Sequence, residues 1–166
     1  KKLLKAVFLF GNNGAGKSNF LEAIQLLRLF VLNRRDSKAE ETLPTVQFKF
    51  ESKYRALPST ISIIIHVRKK RYTYTIAWNS KAILLEHLQK QTGIRPDETV
   101  FRRTYDEEKD LVQIDFAPKL KWDDDAQEII RENVIRNTSV VSIYSHKNMY
   151  APELADLYDY FDTPYH

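Results

Sequence analysis

The chain has 166 residues, 43 % hydrophobic and 29 % charged with a net charge of +4, the balance of one compact domain or lobe that tolerates an anionic ligand without singling one out. It contains no cysteine, which excludes a disulfide scaffold and Cys-ligated zinc or iron–sulfur centres and fits a reducing, cytoplasmic setting. No apolar run nears the roughly 18 residues of a membrane span, and no secretory signal is legible. Because the first residue is Lys1 and not Met, the natural start is expected upstream.

Ala6-Val-Phe-Leu-Phe10 is a short continuous apolar run and predicts a strand buried on both faces. A glycine cluster follows: of four glycines, Gly11, Gly14 and Gly16 fall within six consecutive positions. A helix is then predicted from Lys17 to about Asn33, with Phe20, Ile24, Leu27 and Val31 as its apolar stripe. From about residue 45 the period changes to two. Val46, Phe48 and Phe50 alternate, then Ile61, Ile63, Ile65 and Val67, then Tyr72, Tyr74, Ile76 and Trp78. Arg68-Lys69-Lys70-Arg71 is short enough to be a hairpin connection between the last two sets. Weaker strands are expected over 83–88 and 100–105, and another over 111–116. Short links between successive strands imply an antiparallel meander. Asp125 and Glu128 have capping-box spacing ahead of Ile129, Ile130 and Val134, and Pro152 opens a helix carrying Leu154, Leu157, Tyr158 and Phe161.

Gly11-Asn12-Asn13-Gly14-Ala15-Gly16-Lys17-Ser18 fits G-x-x-x-x-G-K-[ST] after a strand and before a helix. Such a loop wraps backbone N–H groups around a β-phosphate at the positive end of a helix. Lys17 would bridge the β- and γ-phosphates, and Ser18 would place its hydroxyl on Mg²⁺. The expected ligands are therefore ATP and Mg²⁺. A translational-type GTPase is disfavoured, because Lys90 stands three residues before Gly93, the glycine outside the loop, and no Asn-Lys-x-Asp segment occurs. Hydrolysis needs more than the loop. No Leu-Ser-Gly-Gly-like segment is present, and Leu111-Val-Gln-Ile-Asp115 imitates a magnesium-holding strand only with a polar interruption and Phe116 after the acid.

The string Phe10 to Ile24, with Asn13 in the loop, Asn19 after the serine and Leu21-Glu-Ala-Ile24, resembles ABC-type ATPases of the SMC/RecF group. The order of segments over residues 3–116 resembles the AAA-labelled, OLD-like ATPases of bacterial phage-defence and abortive-infection systems. The resemblance implies an α/β P-loop NTPase fold, here the N-terminal lobe of an ABC head with a largely antiparallel β-meander and C-terminal helices. Residues 3–43 would form the strand–loop–helix, 44–117 a β-rich part and 118–166 a helical segment of one partial head spanning 1–166. It implies nucleotide held by Asn12, Asn13, Gly14, Ala15, Gly16, Lys17, Ser18 and Asn19, and sandwiched in a head-to-head homodimer. The signature motif and Asp-Glu pair would come from a further segment. By position, Gln47 is the candidate glutamine touching Mg²⁺ and the attacking water; its alternative is a solvent-facing residue of an alternating strand. Expected partners are a second copy and a nuclease or Toprim-like effector, with nucleic acid open and a membrane not expected.

The basic run Arg68–Arg71 beside Tyr72, Tyr74 and Trp78 could grip a nucleic-acid backbone, but alternation turns the aromatics to the core and favours a solvated turn. Arg102 and Arg103 read the same way. Asp123-Asp124-Asp125 reads as helix capping before metal binding. His66, His87, His146 and His166 show no ligand spacing. A small-molecule phosphotransferase and a non-hydrolysing nucleotide-binding scaffold remain the alternatives to an ATP-driven switch.

Overall fold

The computed structural model describes residues 8–32, 41–45, 57–91, 93–94, 96–145 and 149–163. Five strands, β1 (Ser59–Val67), β2 (Lys70–Trp78), β3 (Ile83–Gln91), β4 (Glu98–Asp106) and β5 (Leu111–Phe116), pair in chain order as one antiparallel sheet. Among the described residues four helices accompany it: α1 (Lys17–Leu32), α2 (Ala126–Asn133), α3 (Val140–Tyr144) and α4 (Pro152–Asp162). The predicted meander is thus present, and the weaker segments over 83–88 and 100–105 are its two central strands. The alternating segment at 46–50, Gln47 with it, lies outside the described residues, as do His146 and His166.

Period-two alternation decides the layers. Tyr72, Tyr74, Ile76 and Trp78 all point to one buried face, joined by Ile65, Leu88, Phe101 and Ile114. The helices cover that face: α1 packs on α3 and α4, and α4 also meets β1. The Phe30 and Trp78 rings meet edge-on at 4.9 Å, and Trp78 Nε1–H donates to the Pro44 carbonyl at 2.7 Å. The other face carries Ser62, Thr75, His87, Arg102 and Asp115 in one row across all five strands. One apolar and one polar face is the usual arrangement of an antiparallel sheet.

Two sequence expectations need correction here. Residues 8–10 form no strand, and Phe8 and Phe10 are 80 % and 90 % exposed. An apolar run becomes a strand only where a neighbour accepts its backbone ladder, and among the described residues no strand pairs with it. The stripe on α1 is also only half buried. Leu27 and Val31 are inside, joined by Phe30, whereas Phe20 is 54 % exposed. A hollow of about 150 Å³ is lined by Asn19, Ala23 and Leu26 of α1 and by Ser59, Ile61 and Trp78.

The buried face is not purely apolar. Opposite one another on β3 and β4 sit Glu86 and Arg103, both fully buried. The Glu86 carboxylate accepts Tyr74 Oη–H at 2.9 Å and the Val140 N–H at 2.7 Å, and so holds the start of α3 onto the sheet. Burial pushes its pKa above the ordinary 4.5, against the pull of the Val140 N–H and the Arg103 charge. Arg103 donates to the carbonyls of Ile83, Ile135 and Arg136. Ser139 completes the join by donating to the Phe30 carbonyl of α1 at 2.7 Å.

A second set of ion pairs changes the reading of the basic turn. Arg68 and Lys70 each lie 3.0 Å from the buried Asp156 of α4, and Arg68 also reaches Asp159 at 3.1 Å. Tyr72 Oη–H donates to Asp156 at 2.6 Å. Arg71 bonds Gln91 at 2.8 Å. The turn is solvated as expected, with Arg68 and Lys69 exposed, but it is also tied to a helix distant in sequence, because α4 brings carboxylates that strand alternation cannot foresee. Arg103, read with Arg102 as a surface cation, is corrected: it is fully buried, whereas Arg102 is exposed. The Asp125 capping box is not formed: α2 has no side-chain cap, and Asp123 instead accepts the Tyr150 N–H at 2.5 Å. Pro152 does open α4, with Leu154, Leu157 and Phe161 buried.

Glu153 on α4 supplies a pH prediction. Burial opposes its ionisation, but the Lys90 ammonium at 2.7 Å and the Trp122 N–H at 2.8 Å hold its carboxyl below the ordinary 4.5. A depressed carboxyl contributes stability above its unfolded pKa and loses it as the pH falls through the folded value. Urea midpoints of the wild type and Glu153→Gln should therefore differ at neutral pH and converge below pH 4.5. A gap that stays constant down to about pH 3 would remove this assignment.

Candidate functional site

The loop from Gly11 to Gly16 leads directly into α1. A turn closes over it, with the Ala15 N–H donating to the Asn12 carbonyl at 3.2 Å, and the Phe20 N–H to Gly16 carbonyl bond at 3.1 Å marks the first helical turn. Gly14 and Gly16 have φ of +83° and +84°. L side chains adopt that region at a cost of about 1–2 kcal/mol per residue, so glycine at both positions is what lets the chain curl. A Cβ built on either glycine would meet nothing within 4 Å. Backbone geometry and not crowding selects glycine here, and the concave side stays open.

Charge is arranged to match. The first turn of α1 contains no acidic residue, so its positive end is not neutralised by its own side chains. Lys17 reaches back over the loop, where its Nζ donates to the Gly11 carbonyl at 2.7 Å and the Asn12 carbonyl at 2.8 Å. These bonds hold the ammonium against the loop that the helix start faces. Asn12, Asn13, Gly14, Ala15, Ser18 and Asn19 are exposed, while Gly16 and Lys17 are half-buried. The structure thus brings together all eight sequence-selected residues from Asn12 to Asn19. Gln47 lies outside the described residues, so nothing places it beside them.

Sequence spacing did not reveal the two carbonyls that hold Lys17, since any residue type supplies a carbonyl. Asp115, whose surroundings only imitate a magnesium-holding strand, is an exposed residue near the end of β5, across the ladder from Arg102 of β4. Asp115 belongs to the polar face of the sheet. Among the described residues no cluster of three or more His, Asp or Glu side chains could hold a metal, and no helix is long and apolar enough to cross a membrane.

The arrangement can hold a multiply charged anion through main-chain N–H groups, one ammonium and a helix start. A family model described as "AAA domain, putative AbiEii toxin, Type IV TA system" matches residues 6–156, from before the loop into the last helix. No curated protein and no solved structure matches the chain. Loop, fold and family model agree, and the chain belongs to this AAA domain family of P-loop, nucleotide-binding ATPases.

Proposed function

We propose that the chain is the ATP-binding part of an ABC-type, SMC/RecF/OLD-like ATPase head that works as a nucleotide-driven dimerisation switch. The observation that carries this is the loop itself: two positive-φ glycines, an acid-free helix start and Lys17 held against the concave side. Those residues fit a triphosphate tail. The N–H groups of Asn13, Gly14, Ala15 and Gly16, with flanking Asn12 and Asn19, would hold the phosphates, Lys17 would pair with their charge, and the Ser18 hydroxyl and Gln47 would reach Mg²⁺. When bound, Mg²⁺ neutralises phosphate charge and bridges phosphate oxygens. Turnover would be completed by a signature motif and an Asp-Glu pair on a further segment, with a second head closing over the nucleotide.

A switch of this kind works by binding ATP better in its closed state than in its open one. The β-meander that follows α1, where a small-molecule kinase needs an acceptor pocket and lid arginines, supports the switch over the phosphotransferase alternative. That the family description names a toxin of a type IV toxin–antitoxin system supports a role in bacterial defence, with a nuclease or Toprim-like effector as the controlled partner. Three of the four cations of the 68–71 turn are engaged within the fold, which supports a protein effector over nucleic acid gripped at that turn. Calorimetry of the full-length protein with ATP and magnesium should show saturable uptake and a shift toward dimer by sedimentation. Absence of uptake would defeat the proposal. Uptake without dimer formation or turnover would reduce it to a nucleotide-holding scaffold.

A further inference from the structure

The helix that carries the phosphate loop is held at its far end. The buried residues of α1 are Leu27, Phe30 and Val31, all in its last two turns. The helix packs there on α3 and α4, and the Phe30 ring meets Trp78. Toward the loop this support stops. Phe20 and Leu21 are more than half exposed, and the hollow of about 150 Å³ opens beside Asn19, Ala23 and Leu26. Apolar packing is non-directional, so burial of three side chains does not by itself fix the tilt of α1.

One directional bond is added at the buried end. The Ser139 hydroxyl donates to the Phe30 carbonyl at 2.7 Å, with both residues buried. The last four carbonyls of a helix lack partners within it, so this hydroxyl serves an acceptor that α1 cannot satisfy itself. The same oxygen accepts the Ser142 N–H at 3.0 Å and caps α3. Ser139 in turn stands on a fixed base. On one side of it the Ile83 N–H donates to the Arg136 carbonyl at 2.8 Å, and Arg103 donates to the carbonyls of Ile135 and Arg136. On the other side the Val140 N–H binds Glu86. The segment around Ser139 is therefore fastened to β3 and β4, and through Ser139 to the last turn of α1.

We propose that Ser139 is a positioning residue for the phosphate loop: it sets where the loop stands relative to the sheet, and it acts through α1 without touching a ligand. Phe30 lies about 20 Å along the axis from the first residue of α1, so a tilt of about 5° at the pinned end displaces the loop by roughly 2 Å. Hydrogen bonds to a phosphate keep their length within a few tenths of an ångström, and a displacement of that size breaks the set. The ATP half of the test rests on the nucleotide reading of the loop; the distance half does not.

The test uses the full-length protein and two readouts. One is ATP affinity by calorimetry with magnesium. The other is the distance distribution, without nucleotide, between spin labels on Glu22→Cys in α1 and Gln89→Cys in β3. Ser139→Ala should broaden that distribution and weaken ATP binding about threefold to tenfold, because affinity scales with the fraction of molecules whose loop is correctly placed. Ser139→Thr keeps the hydroxyl and should match the wild type in both. Ile114→Val, a core change on β5 with a stability cost of similar size, should alter neither. If Ser139→Ala does not fold, Ser139→Cys takes its place, with the same shape and only a weak donor. Broadening confined to the Ser139 variant in a protein whose wild type takes up no ATP would sink the nucleotide reading and leave the positioning role standing. The positioning role is overturned if the distances stay unchanged, if Ile114→Val broadens them equally, or if Ser139→Thr behaves like Ser139→Ala. It is also overturned if the distances broaden while ATP affinity holds at the wild-type value.

Discussion

Lys17→Ala should abolish measurable ATP uptake by calorimetry while leaving the thermal midpoint of the apo protein nearly unchanged. The asymmetry follows from where the ammonium sits. In the apo loop Lys17 bonds two carbonyls at the exposed surface, outside the hydrophobic core, and such carbonyls take water in its place at little cost. Against a triphosphate the same ammonium would face several negative oxygens beside a helix start, where a charged hydrogen bond contributes about 1.5–3 kcal/mol. One such bond is roughly tenfold to a hundredfold in affinity, and two would take binding beyond detection. Unchanged uptake in the variant would mean that the loop holds its ligand by main-chain groups alone. A large drop in thermal midpoint would mean that Lys17 is structural.

Arg103→Met should destabilise the fold by about 3–5 kcal/mol, since each buried acceptor left without its donor costs about 1–3 kcal/mol, read as a lower urea midpoint with unchanged slope. The variant would leave the carbonyls of Ile83, Ile135 and Arg136 without their donor and Glu86 without the nearby positive charge. Folded domains hold only about 5–15 kcal/mol in all, so a loss of this size would be close to unfolding. Arg103→Lys should fail to rescue, because one ammonium on a flexible stem does not reproduce a planar fork serving three acceptors. Arg102→Ala, one residue away on the exposed face, should shift stability by no more than about 0.5 kcal/mol. Equal effects at 102 and 103 would contradict the buried network.

Adjacent arginines with opposite fates show where sequence reading stops. Strand alternation assigns Arg102 and Arg103 to opposite faces but does not say which face is covered, nor that a loop more than thirty residues later offers carbonyls to one of them. The same holds for Arg68 and Lys70, whose partner Asp156 stands more than eighty residues on. Alternation did place Tyr72, Tyr74, Ile76 and Trp78 together correctly, because four aromatic or branched residues at period two admit one buried side. Proline at the start of α4 was legible for a similar reason, since its fixed φ suits the first turn whatever the surroundings. Residues 8–10 mark the opposite case, an apolar run that reads as a strand but has no described ladder partner.

Local rules were enough for the loop. Where glycines must take positive φ, and where a lysine and serine must open a helix, the constraint is written in consecutive residues, so the motif, the helix after it and the meander could be read without coordinates. The buried Glu86–Arg103 row and the clamping of the basic turn by α4 could not. Each depends on which surface faces which across long stretches of chain. Burial, and with it the cost of leaving a charge or carbonyl unpaired, is decided only when the layers close.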